Sequence, residues 1–232
     1  MRKLSILCFL SLLFFGVNGQ DDGFVSKRSS MVRHQIKSRG ITHKPTIRAM
    51  NAVKRHEFVP AQYRNLAYND RPLPIGSGQT ISQPYIVAYM TELMRPTSDM
   101  KALEIGAGSG YQAAVLAEIV DSVYTIEIVP ELGRSAKANL KRMGYDNVST
   151  KVADGYYGWE EKGPFDIIMV TAAAEHIPPP LIEQLKDGGR MIIPVGSPFM
   201  VQQLMLVEKI NGKISTRSLI PVRFVPFTRA NN

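Results

Sequence analysis

Cysteine is almost missing: Cys8 is the only one in the chain, and it lies inside the N-terminal apolar stretch. The body of the protein therefore has no internal disulfide and no cysteine nucleophile. No internal repeat appears, so 232 residues suit one domain with a large core, or a main domain with a small extension. Long hydrophobic runs are scarce as well. The longest, Leu4 to Phe15, is too short for a comfortable transmembrane helix. It follows Arg2 and Lys3 and precedes the small residues Val17 and Gly19, so residues 1–19 read as an export signal with a cleavage point before Gln20. The formal charge is +8, and loss of Arg2 and Lys3 with that segment leaves 26 basic against 20 acidic residues, or +6. The basic residues are dispersed and have no aromatic residues interleaved, which describes a solvated basic surface rather than a nucleic-acid footprint.

What is present centres on Ala102 to Ile119, ALEIGAGSGYQAAVLAEI. An apolar run ends in Gly106, Gly108 and Gly110, then Ala113, Ala114, Leu116, Ala117 and Ile119 recur at helical spacing. Strand, tight turn and helix follow in that order, and glycine there lets the backbone bend and approach a ligand. Glu127 ends the next apolar run, where a carboxylate can accept ribose hydroxyls, and Asp154-Gly155 follows the run after that. A packing turn with surface acids is the competing reading. It accounts poorly for a glycine cluster, an acid and an Asp-Gly pair at successive strand ends.

The rest of the chain alternates. Helices are expected over 29–39, 45–55, 84–93, 131–143 and 181–186, and strands over 123–128, 148–153, 165–171 and 190–195. Residues 201–209 and 213–220, joined at Asn211-Gly212, form a terminal antiparallel hairpin. The fold expected is α/β, doubly wound, with a mostly parallel sheet, that hairpin at the C-terminus and an N-terminal helical extension. Residues 58–85 lack periodicity and are rich in proline and glycine, a profile that favours a functional loop. Within them Thr80, Ser82 and Gln83 stand at a helix entrance, where Ser82 either caps the helix or faces a ligand.

The E-x-G-x-G-x-G spacing at Glu104 resembles motif I of class I S-adenosylmethionine (SAM) methyltransferases, since Tyr111 occupies the position of the third dinucleotide glycine. With the segment TISQP at Thr80 also in view, the chain resembles the protein-L-isoaspartate O-methyltransferases. The likeness runs from about Met31 to the C-terminus through HEFVP, YNDRPLPIGSGQTISQP, ADGYYGW and FVPFT. It implies a Rossmann-like domain over 20–232, with the extension and active-site loop in 29–95 and the core in 96–232. It implies methyl transfer from SAM, with S-adenosylhomocysteine (SAH) as product, to the free carboxylate of L-isoaspartyl residues in damaged proteins and peptides, which starts repair through a succinimide. The catalytic serine of the family falls on Ser82. Its SAM contacts fall on Thr80, Ile81, Ser82, Tyr85, Gly106, Gly108, Gly110, Glu127, Asp154, Gly155 and, more weakly, Thr228. No metal, nucleic acid or stable membrane partner is implied, and the state expected is a monomer. A cytoplasmic SAM supply conflicts with the export signal over 1–19.

Another SAM methyltransferase is the nearest alternative. Base-amino methylation usually needs a D/N-P-P-Y/F turn where this chain reads Thr171-Ala172-Ala173-Ala174. A SAM-binding module without catalysis is the alternative from a different class. Histidines His56 and His176 are expected to be structural or solvated.

Overall fold

β3 (Lys101–Ile105) is flanked on one side by β4 (Ser122–Glu127) and then β5 (Val148–Val152), and on the other by β6 (Phe165–Val170) and β7 (Leu185–Val195), all parallel. The computed structural model describes residues 19–197 and 199–230. β8 (Gln202–Ile210) and β9 (Lys213–Val222) add antiparallel to β7 and complete a seven-stranded sheet in the order β5-β4-β3-β6-β7-β8-β9. Strand order reverses between β3 and β6, and such a switch point opens a crevice at the strands' C-terminal ends. The doubly wound sheet and the C-terminal hairpin are as expected. Asn211 and Gly212 make its turn with φ +51° and +72°.

The unbroken apolar run of β6 reflects burial on both faces. Ile167 and Met169 join one apolar cluster, Ile168 and Val170 the other. The first cluster also takes α4 (Tyr111–Ala117), the strand residues Ile192 and Leu206, and the helices that precede the sheet. The second holds Leu103, Ile105 and Leu181 of α6 (Pro179–Glu183). α5 (Pro130–Arg142) begins at a proline, whose fixed φ suits a first helical turn.

The extension differs in detail from its expected form. α1 (Gly19–Met31) runs through Ser29 and Ser30, continues as a π-helical turn and a 3₁₀ turn to Arg39, and stops at Gly40 with φ +90°. Tertiary contacts, invisible to local capping rules, draw in the earlier residues. Phe24 stacks on His56 with ring centroids 4.0 Å apart, and Arg28 Nε donates to the Asn51 carbonyl at 2.6 Å. α2 (Lys44–Ala52) is shorter than the periodicity suggests, and α3 (Pro84–Leu93) has the bounds expected. The aperiodic stretch contains a small hairpin, β1 (Leu73–Gly76) with β2 (Gln79–Ile81). The helix expected over 181–186 ends early because Leu185 is buried opposite Phe165 and opens β7. The export signal expected over 1–19 lies outside the described residues apart from Gly19. Among the described residues no helix is long and apolar enough to cross a membrane.

Candidate active site

The turn after β3 is tied to the ends of both neighbouring strands. Gly106 and Ala107 donate their amides to the Ile126 carbonyl of β4 at 2.8 and 3.1 Å. From the β6 side, Thr171 Oγ1 lies 3.0 Å from the Ile105 carbonyl and 2.8 Å from that of Gly106. A Cβ on Gly106 would come within 2.5 Å of Thr171 Oγ1, and its φ of +98° is strained for any side chain. Glycine here is thus a requirement of close approach between two strand ends.

Glu127 closes β4 and stiffens the same turn. Its Oε2 accepts from the Gly108 amide at 2.8 Å, and its Oε1 from the Val129 amide at 2.9 Å. Two amide bonds use half of a carboxylate's acceptor capacity, and the rest is free for hydroxyl donors. Glu104, on β3, is fully buried; Thr125 Oγ1 donates to its Oε2, and its Oε1 has no partner among the described residues. Burial holds this carboxyl up at about 8, with the Thr125 hydrogen bond opposing and the Glu127 charge reinforcing.

Both acids face one cavity at the switch point, together with Gly106, Gly108, Gly155, Gln112 and Thr171. β2 and the residue after it contribute Thr80, Ile81 and Ser82. Ser82 Oγ has no hydrogen-bond partner among the described residues, and the N-cap of α3 is Gln83, with no side-chain cap bond. The capping alternative for Ser82 is therefore not what the local geometry uses.

The last wall comes from the far end of the chain. Val225 to Thr228 line the cavity because the tail pairs with the loop after β6: Ala173 donates to the Val225 carbonyl and Phe227 to that of Ala173, each at 2.8 Å. Asp154 anchors this tail. Its Oδ2 accepts from Arg229 Nε at 2.8 Å and from the Ala230 amide at 3.1 Å, and its Oδ1 from the Tyr156 amide at 3.0 Å. Burial opposes ionisation there, but the Arg229 bond and the two amides hold the carboxyl below the ordinary carboxylate value.

Of the residues carried over from the resemblance, Thr80, Ile81, Ser82, Gly106, Gly108, Glu127, Gly155 and Thr228 line the cavity. Gly110, Asp154 and Tyr85 do not. Gly110 packs against Leu140, where a Cβ would lie 3.1 Å from Cγ. Tyr85 faces a second cleft. His176 is exposed beside Tyr156, and His56 is buried with Nδ1 2.7 Å from the Tyr68 hydroxyl; both stand away from the cavity. Glu104, Gln112, Thr171 and the Val225–Phe227 wall were not singled out from sequence. Glu104 carried a signal, an acid inside an otherwise apolar strand; the tail was visible only as the FVPFT segment of the resemblance, with Thr228 as its one carried-over contact.

The residues present fit a SAM-type ligand. A glycine bend sits beside Glu127, which has acceptor capacity to spare, and the buried Glu104 carboxyl group, whose Oε1 has no partner among the described residues. Strand order, switch point and acid-ended second strand together define a Rossmann-like methyltransferase, and the comparisons narrow that class. The family model described as protein-L-isoaspartate(D-aspartate) O-methyltransferase matches residues 26–232. A protein-L-isoaspartate O-methyltransferase of Opitutus terrae is 54% identical over 227 residues, covering 98% of this chain and 97% of its own. One from Polaromonas sp. is 63% identical over 180 residues, covering 77% and 85%. A solved structure of a protein-L-isoaspartate O-methyltransferase superposes with a TM-score of 0.78 at 30% identity, covering 86% of this chain and 65% of that one. A Plasmodium falciparum structure described as the same kind of enzyme, in complex with SAH, gives 0.76 at 28% identity, covering 88% and 99%. The chain belongs to the protein-L-isoaspartate(D-aspartate) O-methyltransferase family.

Proposed function

We propose that the chain methylates the free carboxylate of L-isoaspartyl residues in damaged proteins and peptides, with SAM as donor, and so starts their repair. The observation that carries this reading is the unpartnered Ser82 hydroxyl on the same cavity wall as the glycine bend and Glu127. When bound, SAM supplies an electrophilic methyl group on a sulfonium.

This chain's residues have four tasks. Glu127 holds the donor's ribose through the acceptor capacity its amide bonds leave. Glu104 offers a buried oxygen to the donor's amino acid end. Ser82 donates a hydrogen bond to the isoaspartyl carboxylate and turns one oxygen toward the methyl. The tail wall excludes water. No general base is needed, because a carboxylate is already ionised at neutral pH. Alignment then carries the catalysis, an effect that can reach about 7 kcal/mol or more. The methyl ester is a better acyl electrophile than the carboxylate, so the neighbouring backbone amide nitrogen attacks its carbonyl carbon, the C–OCH3 bond breaks, the amide proton leaves with methoxide as methanol, and water reopens the resulting succinimide to aspartate or isoaspartate.

Label from methyl-labelled SAM should appear on an isoaspartyl peptide and not on its aspartyl twin. Ser82→Ala should slow that transfer by about 10–100-fold, the value of one hydrogen bond to a charged group, with SAH affinity unchanged. Label on both peptides or on neither would overturn the reading.

We take residues 20–232 to act as one methyltransferase domain, since the cavity draws on residues from Gln79 to Thr228, and we take its working state to be a monomer. SAM supply places the working enzyme in the cytoplasm; recovery of a mature chain beginning near Gln20 in the exported fraction would reverse that placement.

A further inference from the structure

The second cleft, of about 690 Å³, lies between α3 and the face of β7, β8 and β9 that α3 covers. Its upper end is aromatic. The Tyr85 and Tyr89 rings stack 5.8 Å apart, and the Arg39 guanidinium lies 3.4 Å over Tyr85 while pairing with Asp70 at 2.9 Å. Its lower end is cationic: Arg95, Arg190 and Arg217 converge there.

The carboxylates in this wall are already engaged. Glu208 pairs with Arg190 at 2.7 Å, and Glu92 accepts the amides of Thr42 and His43 at 3.0 and 3.1 Å. Arg190 also donates to the Leu93 carbonyl at 3.0 Å. Arg95 and Arg217 are exposed, and their guanidinium groups make no ion pair or hydrogen bond among the described residues. Burial lowers the Arg190 pKa; Glu208 opposes this, and the charges of Arg95 and Arg217 lower it further, so each of these two cations acts on Arg190. Arg95 and Arg217 thus add two positive charges that no ion pair offsets among the described residues, against the one charge of Glu92, which its amide donors do not neutralise.

The cleft begins one helical turn from the catalytic cavity. Ser82 lines the catalytic cavity, and Tyr85, three positions on in the first turn of α3, lines the cleft. Between them Gln83 Nε2 donates to the Asp70 carbonyl at 3.2 Å, and Asp70 holds Arg39. α3 has 10 residues and so runs about 15 Å. From Ser82 to the arginine end is then about 20 Å, which an extended peptide spans in about six residues.

We propose that this cleft is a docking groove for an acidic stretch of the polypeptide substrate, with Arg95 and Arg217 receiving carboxylates that lie about four to seven residues from the damaged position. The proposal deepens the functional reading above and rests on it for the word substrate. Opposite charge selects the occupant, the stacked tyrosines receive its apolar groups, and the route from Ser82 gives the spacing.

The test uses pairs of isoaspartyl peptides that carry either Glu or Gln at positions four to seven, on the N-terminal side in one pair and on the C-terminal side in the other. With the wild-type enzyme, KM should be about fivefold lower for the Glu peptide of at least one pair, with kcat unchanged. Exposed ion pairs are modest and screened, so that preference should fade as salt rises. In the double variant Arg95→Gln, Arg217→Gln the preference should vanish while kcat and the Gln-peptide KM stay at wild-type values; a matching thermal melt controls for folding. A fluorescent acidic peptide with ordinary aspartate should bind the wild type, measured by anisotropy, and lose that binding in the variant. No preference in either pair, or a preference that survives in the variant, would overturn the groove. Anisotropy that depends on the two arginines, without methylation of any peptide, would keep the groove and remove the enzymatic reading instead.

Discussion

Glu104 and Glu127 lie on adjacent strands around one turn, in different surroundings. Glu127 accepts two amide hydrogen bonds, whereas Glu104 is buried with one oxygen unpartnered among the described residues and is held up at about 8 from 4.5. Because the folded-state pKa is the higher, the folded protein retains a proton that the unfolded chain gives up. The stability contributed by the protonated group is complete below about 4.5 and declines as pH rises toward about 8, with a slope near 1.4 kcal/mol per pH unit. Glu104→Gln in the ligand-free protein should remove this slope, so that urea denaturation at a series of pH values shows the variant gaining on the wild type from pH 5 to 8. Parallel curves would mean that Glu104 is ionised in the fold. This acid was visible in the sequence as part of E-x-G-x-G-x-G, but its burial was not, since β3 gains its covering layers only after β4 and β6 pair with it.

Among the elements, the C-terminal tail has the largest effect relative to its size. Residues 225–230 are not part of the sheet, yet they form a cavity wall and are held by the Ala173 backbone bonds and the Asp154–Arg229 pair. Removing residues 225–232 should weaken SAH binding by at least about 10-fold, as a wall and its water exclusion are lost. The melting temperature should fall by only a few degrees, because the main apolar clusters remain. Calorimetric titration and a thermal melt check the two effects; unchanged affinity would show that the tail is dispensable for the ligand. The Asp154-Gly155 pair illustrates how motif spacing divides. Gly155 lines the cavity, and a Cβ there would lie 2.3 Å from Ile105 Cγ2, while Asp154 turns away to hold the tail. Their adjacency in sequence gave no hint of that division. α3, in contrast, was legible to the residue, because Pro84 opens it and an apolar face runs through it.

For the whole molecule, a ligand seated at the switch point touches strands, loop and tail at once, so its binding energy appears as global stability. SAH at 100 times its dissociation constant should add about 2.7 kcal/mol, which corresponds to roughly 5–10 °C in melting temperature for a domain of this size. No shift at saturating SAH would remove the site assignment altogether. The doubly wound fold class, the hairpin at Asn211-Gly212 and the glycine turn were determined by sequence alone, because hydrophobic period, turn chemistry and strand–helix alternation are local properties of the chain. Only tertiary structure decided that Val225–Thr228 close the cavity, that Ser82 is left without a capping role, that Glu104 is buried with an unpartnered oxygen, and that Tyr85 belongs to a second, arginine-lined cleft. Those outcomes depend on which distant segments meet. No local pattern encodes a contact between residues 154 and 229 or between 39 and 85; it arises when the sheet and its covering helices bring those segments together.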